Sequence, residues 1–159
     1  MKVIFYGNRH GNLGDKVIRW WTSSWENKLN GKWKDSYSHV ELLFDDTTMF
    51  SASQYENLTR FAMYNKSDAW TEMTLNISKA RETLVYSHCR RLEGSEYDYL
   101  GVLGFVFGNR DSRDEWFCSE VVVDALQRIG CLKGVKASKV SPNALYSLLK
   151  GDNCEEQVL

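Results

Sequence analysis

The chain has 159 residues, of which 43% are hydrophobic and 13% aromatic. This composition predicts a single globular domain over residues 1–159 and excludes disordered and low-complexity classes. Twenty basic residues balance twenty-one acidic ones, so the basic surplus typical of nucleic-acid binders is absent and no nucleic-acid partner is expected. No apolar run approaches the about 18 residues of a membrane span or has the form of a signal peptide, so we expect a cytoplasmic protein without a transmembrane segment.

The first part of the chain predicts a strand and then a helix. The apolar run Val3–Tyr6 ends at a glycine and is typical of a short strand. A glycine-rich turn, GNRHGNLGD, follows, and its last residue, Asp15, can cap a helix. That helix would contain Val17, Ile18, Trp20 and Trp21.

The middle of the chain has the patterns of antiparallel strands. Residues Ser38–Asp46 form a β-type run, and the two aspartates and two threonines at its end predict a hairpin turn into Met49–Ser53. The segment Trp70–Ile77 alternates apolar and polar residues with a period of two, which predicts a half-buried strand.

Three or four further helices are predicted downstream. Ala80, Leu84 and His88 recur every four residues and favour a helix over Lys79–Arg91, and the length of the apolar segment 97–108 favours another. Two more helices have stronger signals. The first begins at Cys118, has Cys118, Val122, Ala125 and Ile129 on one stripe and ends at Gly130. The second has Ser141 as N-cap, Pro142 at its first position, a stripe of Leu145, Leu148 and Leu149, and Gly151 at its end. Helices mixed with antiparallel strands predict an α+β fold.

The four cysteines Cys89, Cys118, Cys131 and Cys154 are far apart in the sequence, without a C-x-x-C pair. This spacing favours neither a disulfide framework nor a structural zinc site. Cys118 differs from the others because it opens a helix, where backbone N–H groups and the helix dipole stabilise a thiolate. Its residue type and position fit a nucleophile, although a small buried core residue would also occupy such a place.

A thiolate nucleophile needs an imidazole, and the chain offers His10, His39 and His88. His39 is the strongest candidate, since it opens an apolar strand that can hold it at a sheet edge. The sequence therefore pairs a histidine at the start of a strand with a cysteine at the start of a helix. The glycine-rich turn and the tryptophans Trp20, Trp21, Trp25 and Trp33 could contribute to a cleft, or simply form a turn and a core.

Five segments together carry a family resemblance: SHVELLF, MFSAS, EYDYLGVLG, WFCSEVVVDAL and SPNALYSLL. They resemble the circularly permuted, NlpC-like papain-fold cysteine hydrolases, in particular the YiiX-like group and small proteins of tailed bacteriophages. The resemblance spans most of the chain and implies a small antiparallel sheet packed against a Cys-bearing helix. It also implies that Cys118 is the nucleophile and His39 the general base and acid.

This chain departs from the family pattern at the third catalytic residue, which orients the imidazole. Relatives often carry a carboxylate on the strand after the histidine strand, where this chain reads Phe50-Ser51-Ala52-Ser53. Two residues could replace it: Glu41, which shares a sheet face with His39 because it lies two residues further along the strand, or Ser51 through its hydroxyl.

The resulting hypothesis is a thiol hydrolase that acts on a peptide, amide or acyl ester through an acyl-enzyme, with no metal or organic cofactor. The same parts would serve a Cys-dependent acyltransferase. The alternative from another class is a catalytically silent binding module that engages a host or virion protein. The resemblance implies a bacterium or a phage-infected host cell, with virion association as a further option.

Overall fold

The computed structural model of the chain describes residues 1–7, 16, 29, 31, 36–97 and 115–151. Within these ranges the elements, in chain order, are β1 (Lys2–Tyr6), β2 (His39–Phe44), β3 (Thr48–Ser53), β4 (Leu58–Met63), β5 (Trp70–Thr74), α1 (Lys79–Leu92), β6 (Glu96–Tyr97), β7 (Glu115–Trp116), α2 (Cys118–Gln127) and α3 (Pro142–Gly151). A 3₁₀ turn, Ala137–Lys139, lies between α2 and α3. The mixed α+β class predicted from the sequence is confirmed.

The strands form one sheet in the order β5-β1-β2-β3-β4-β6-β7. Neighbouring strands are antiparallel, except that β6 and β7 are parallel. Strand β1 lies between β5 and β2, so that Tyr6 is opposite His39 on one side and Trp70 on the other. This register brings three residues that are distant in the chain into one row.

The predicted hairpin between β2 and β3 is present. Asp45 and Asp46 both adopt positive φ angles, of 50° and 57°, a conformation that aspartate tolerates better than most residues. The Thr47 N–H donates to the Phe44 carbonyl across the turn at 3.1 Å. The strand predicted over Trp70–Ile77 begins as expected but ends at Thr74, and the chain turns directly after it, with the Ile77 N–H donating to the Leu75 carbonyl at 3.0 Å.

The core lies between the sheet and the helices. Alternate residues of the central strands face the helices and are buried: Val3, Phe5, Val40, Leu42, Phe44, Phe50 and Ala52. Helix α2 packs on β2 and β3, and α1 and α3 contact it as well. Its residues Val121, Val122, Val123, Ala125 and Leu126 are fully buried, which makes α2 a central element of the molecule.

Helix α1 spans Lys79–Leu92, close to its predicted bounds, but of the predicted pattern Ala80, Leu84 and His88 only His88 is buried. Its buried residues are Glu82, Val85, His88 and Cys89, whereas Leu84 is 59% exposed. The carboxylate of Glu82 can be buried because it forms ion pairs with the Met1 amino group at 3.6 Å and with the Lys79 side chain at 3.4 Å. A buried carboxylate therefore takes the place expected for an apolar side chain.

The other helix landmarks are found where the sequence placed them. Ser141 caps α3, with its Oγ accepting from the Ala144 N–H at 3.2 Å, and Leu145 and Leu149 are buried. Several predicted features lie outside the described residues. They are most of the helix over Asp15–Trp21, the aromatic cluster of Trp20, Trp21, Trp25 and Trp33, residues His10 and Cys154, and most of the helix over 97–108.

Candidate active site

The candidate site lies where β2 and α2 begin. His39 is the first residue of β2 and Cys118 the first residue of α2, and the Cys118 side chain lies near enough to His39 to raise the pKa of the imidazole. The two residues are far apart in the sequence, and the packing of α2 on β2 and β3 brings them together. The pair that sequence analysis singled out is thus one spatial unit.

Glu41 holds the imidazole from the other side. Its Oε1 lies 2.9 Å from Nε2 of His39, because residues two apart on a strand share a face. The imidazole therefore interacts with both Glu41 and Cys118, and we refer to these three side chains as the relay.

Arg60 is a member of this site that the sequence analysis missed. Its guanidinium donates two parallel hydrogen bonds to Glu41, both 3.0 Å long, and a third of 2.7 Å to Glu56. The register of the sheet places Arg60 opposite Ser51 on the neighbouring strand. The sequence signal that could have indicated Arg60 is that it is the one charged residue of its strand, LTRFAM.

The surroundings of Glu41 and His39 shift the pKa values of both groups. Glu41 is 1% exposed, and burial alone would raise the pKa of its carboxyl, but the hydrogen bonds and positive charges of His39 and Arg60 lower that pKa below its ordinary value. Burial likewise opposes charge on His39, yet its interactions with Cys118 and Glu41 raise the pKa of His39 to about 10. The surroundings of His39 thus favour the imidazolium form.

Ser51, the other candidate for the orienting role, has different contacts. Its hydroxyl donates to the Val40 carbonyl at 2.8 Å and lies 3.5 Å from the Cys118 carbonyl. These contacts tie β3 to the starts of β2 and α2. The carboxylate of Glu41, and not the hydroxyl of Ser51, contacts the imidazole.

The start of α2 can also stabilise negative charge. Its N-cap, Phe117, provides no side-chain hydrogen bond to the first turn. Backbone N–H groups at a helix N-terminus attract anions, so an oxygen that becomes negatively charged beside Cys118 would meet donors there. Cys118 itself is 5% exposed.

A cavity of about 220 Å³ borders His39. Tyr6 and Trp70, which lie in the same row as His39 across the sheet, border it as well. The edge of the imidazole faces Trp70, with 6.4 Å between the ring centroids. The described residues that line the cavity are Tyr6, Ser38, His39, Glu41, Met49, Ser53, Gln54, Tyr55, Arg60, Trp70 and Tyr97.

The described residues provide neither a cluster of metal ligands nor a membrane-spanning helix. Within the described ranges, His, Cys, Asp and Glu side chains form no group of three or more that could hold a metal ion. In the same ranges, no helix combines the length and apolar character needed to cross a membrane. Comparison of the chain with family models, with curated proteins and with solved structures finds no match.

Proposed function

We propose that this protein is a cysteine hydrolase of the circularly permuted, NlpC-like papain fold, with Cys118 as nucleophile, His39 as general acid and base, and Glu41 as the residue that orients the imidazole. The observation that carries the proposal is the relay of sulfur, imidazole and buried carboxylate at the starts of β2 and α2. Its substrates would be amides, peptides or acyl esters. We expect it to act in the cytoplasm of a bacterium or of a phage-infected cell, alone or with a host or virion partner.

The reaction follows from the positions of these groups. The Cys118 thiolate attacks the substrate carbonyl carbon, and the oxygen takes up the electron pair of the C=O bond beside the N-terminus of α2. When the C–N or C–O bond breaks, the leaving group carries away the bonding electrons and receives the proton of the His39 imidazolium. Neutral His39 then removes a proton from water, which attacks the thioester and releases the acid and the thiolate.

The proposal predicts that Cys118 reacts selectively with an electrophile. At about pH 6 an ordinary thiol is mostly protonated and reacts slowly, whereas a nucleophilic cysteine at a helix N-terminus beside an imidazole is activated. Iodoacetamide should therefore alkylate Cys118 well before Cys131, which is 2% exposed, and His39→Ala should slow this reaction about 10³-fold. Peptide mass spectrometry of time points measures both rates.

His88→Ala is the matched control, because His88 forms a second buried imidazole–carboxylate contact, 2.5 Å from Asp124, on helix α1. This variant should label Cys118 at the rate of the unchanged protein under conditions where it remains folded. Labelling of Cys118 no faster than that of Cys131 would overturn the proposal. Hydrolysis of p-nitrophenyl acetate that persists at the same rate in Cys118→Ala would do so as well.

A catalytically silent binding module is the second candidate, and the low exposure of Cys118, 5%, favours it. Such a module would keep the relay as a structural feature and would show no acylated Cys118 after exposure to an acyl donor. An acyltransferase would form the same acyl-enzyme but pass the acyl group to an amine or alcohol. Adding glycerol or an amine to the hydrolysis reaction and measuring the acylated product distinguishes it from a hydrolase.

A further inference from the structure

The chain just ahead of His39 is held by a side chain of helix α3. Asn143, the second residue of α3, accepts a hydrogen bond from the Tyr37 N–H at 2.8 Å and donates one to the Tyr37 carbonyl at 3.3 Å. An amide side chain offers the same donor and acceptor as a backbone peptide group, so Asn143 bonds Tyr37 as a neighbouring strand would. Tyr37 lies two residues before His39, the first residue of β2.

The ring of Tyr37 contacts the same face of α3. Tyr146 follows Asn143 by three residues and so lies on the same side of the helix, and its ring centroid is 4.9 Å from that of Tyr37. Both rings also contact Phe5 of β1, each at a centroid distance of 5.2 Å. The backbone and the side chain of Tyr37 are therefore both packed against α3.

The residues that lead into α3 also contact the start of α2. Ser119, the residue after Cys118, is fully buried, and its Oγ donates to the Val140 carbonyl at 2.5 Å. Leaving a buried hydroxyl without its acceptor is costly, so this contact fixes the first turn of α2. Val140 lies directly before Ser141, the N-cap of α3.

Residues 140–143, which we call the clamp, thus contact both elements that carry the proposed nucleophile and base. Val140 holds the residue after Cys118, and Asn143 holds the residue two before His39. Pro142 lies between these two contacts, and its ring fixes the backbone angle φ there. The clamp therefore limits how far the start of β2 can move relative to the start of α2.

On the basis of the proposed function, we infer that Asn143 is a positioning residue, which sets the place of His39 relative to Cys118 through the backbone of Tyr37. Reacting groups tolerate little displacement, since a shift of about 1 Å can cost about 10²-fold in rate. Loss of the Asn143 amide should therefore reduce the assistance that His39 gives to Cys118.

A double-mutant cycle tests this inference. Alkylation of Cys118 by iodoacetamide at about pH 6 is followed by peptide mass spectrometry in the unchanged protein, in Asn143→Ala, in His39→Ala and in the double variant. We expect Asn143→Ala to slow alkylation about tenfold when His39 is present and less than about twofold when it is absent, because no imidazole is then left to position. A purely structural role of Asn143 would change the rate by the same factor in both backgrounds.

Asn143→Asp provides a second variant of nearly the same shape. Its side chain can still accept from the Tyr37 N–H but can no longer donate to the Tyr37 carbonyl, and a carboxylate in the first turn of α3 suits the helix dipole. We expect this variant to stay folded and to slow alkylation only about threefold, again with no effect in the His39→Ala background. It decides the question where Asn143→Ala does not fold.

Gln127→Ala is the matched control. Gln127 lies at the other end of α2, and its amide also holds backbone, by donating to the Leu132 carbonyl at 3.0 Å and to the Val135 carbonyl at 2.7 Å. Its loss should lower the urea midpoint, as the loss of Asn143 should, but leave the alkylation rate of folded protein unchanged with and without His39.

The outcomes separate this inference from the proposed function. The positioning role of Asn143 would be overturned, with the hydrolase proposal left standing, if both Asn143 variants reacted at the unchanged rate, if each acted by one factor in both backgrounds, or if Gln127→Ala slowed alkylation equally. Alkylation of Cys118 that His39→Ala does not slow would overturn both.

Discussion

At the scale of single residues, the site depends on a buried carboxylate with two cationic partners. Glu41 contacts His39 through one oxygen and Arg60 through both. A buried charge is tolerated only when it is paired, and this bidentate pairing fixes the carboxylate while it orients the imidazole. The third member of the relay is therefore supplied by the strand of the histidine itself.

This arrangement predicts different effects for the two residues proposed as orienting groups. Glu41→Gln removes the negative charge that holds the imidazolium, and we expect a loss of about 10²-fold or more in the rate of Cys118 acylation, as for other catalytic histidines that lose a buried carboxylate. Ser51→Ala removes bonds to backbone carbonyls only, and its main effect should be on the free energy of unfolding. Acylation rates and urea denaturation of both variants measure this difference, and a larger rate loss in Ser51→Ala would contradict it.

The raised pKa of His39 predicts a pH dependence of stability. The pKa is about 10 in the folded protein and about 6.5 in an unfolded chain, so protonation of His39 favours the folded state. The stabilisation is complete below about pH 6.5 and is lost as the pH rises toward 10. The difference in urea midpoint between the protein and His39→Gln should therefore shrink steadily from pH 6 to pH 10; a difference that grows over this range would show that the sign is wrong.

Cys118, His39 and Glu41, the last as an alternative to Ser51, could be proposed from the sequence because each depends on local information, namely the start of an element or a spacing of two along a strand. Arg60 was missed because its contact with Glu41 depends on the pairing of β3 with β4, which brings together residues 19 positions apart.

At the scale of elements, the end of α2 shows how strongly one glycine can determine a boundary. The Cys131 N–H bonds to the Leu126 carbonyl at 3.2 Å and the Gly130 N–H to the Gln127 carbonyl at 3.0 Å, the two bonds of a Schellman motif. Gly130 has a φ of 82°, which a residue with a β-carbon adopts only with strain. The sequence indicated this glycine correctly as the cap.

Gly130→Ala should therefore lower the free energy of unfolding by about 1–2 kcal/mol. Among the described residues, a β-carbon there would meet the flexible Lys133 side chain, at 3.3 Å, so the backbone angle is the main cause. Gly151→Ala is the matched control, since Gly151 ends helix α3 with no described atom within 4 Å of an added β-carbon, and the change should be neutral or slightly stabilising. Equal effects in urea denaturation would show that the strain at Gly130 is absent.

Local patterns predicted the existence and type of the elements better than the faces they bury. The helix α1 illustrates this, because the position of Glu82 inside the protein depends on the distant amino group of Met1. No periodicity of apolar residues can encode a partner that lies 81 positions away.

At the scale of the whole molecule, α2 is enclosed by the sheet and by two other helices, and the cysteines report on this enclosure. Cys89 is fully buried against the core, and burial raises the pKa of its thiol above its ordinary value. It can react with a water-soluble reagent only when the core opens.

Labelling of Cys89 should thus measure global unfolding. In Cys118→Ser, the free energy of opening obtained from iodoacetamide labelling of Cys89 at increasing urea should equal the value from the loss of circular dichroism. Exchange through a smaller, local opening would give a lower free energy with little dependence on urea. Labelling by that route would show that helix α1, which carries Cys89, separates from the core without global unfolding.

The order of the strands, with β1 between β5 and β2, could not be deduced from the sequence, since each pairing joins segments separated by more than 30 residues. It is this order that sets Tyr6, His39 and Trp70 side by side.

The placement of His39 and Glu41 two residues apart on β2 has a consequence for the ancestry and redesign of this protein. In many triads the histidine and the carboxylate that orients it come from separate elements, so a rearranged chain must bring two elements together again to remain active. Under the proposed function, a stretch of three amino acids, His39-Val40-Glu41, holds both residues. Such a segment can be transplanted, duplicated or relocated by chain shuffling as a unit, provided that a guanidinium from a neighbouring strand pairs with the glutamate.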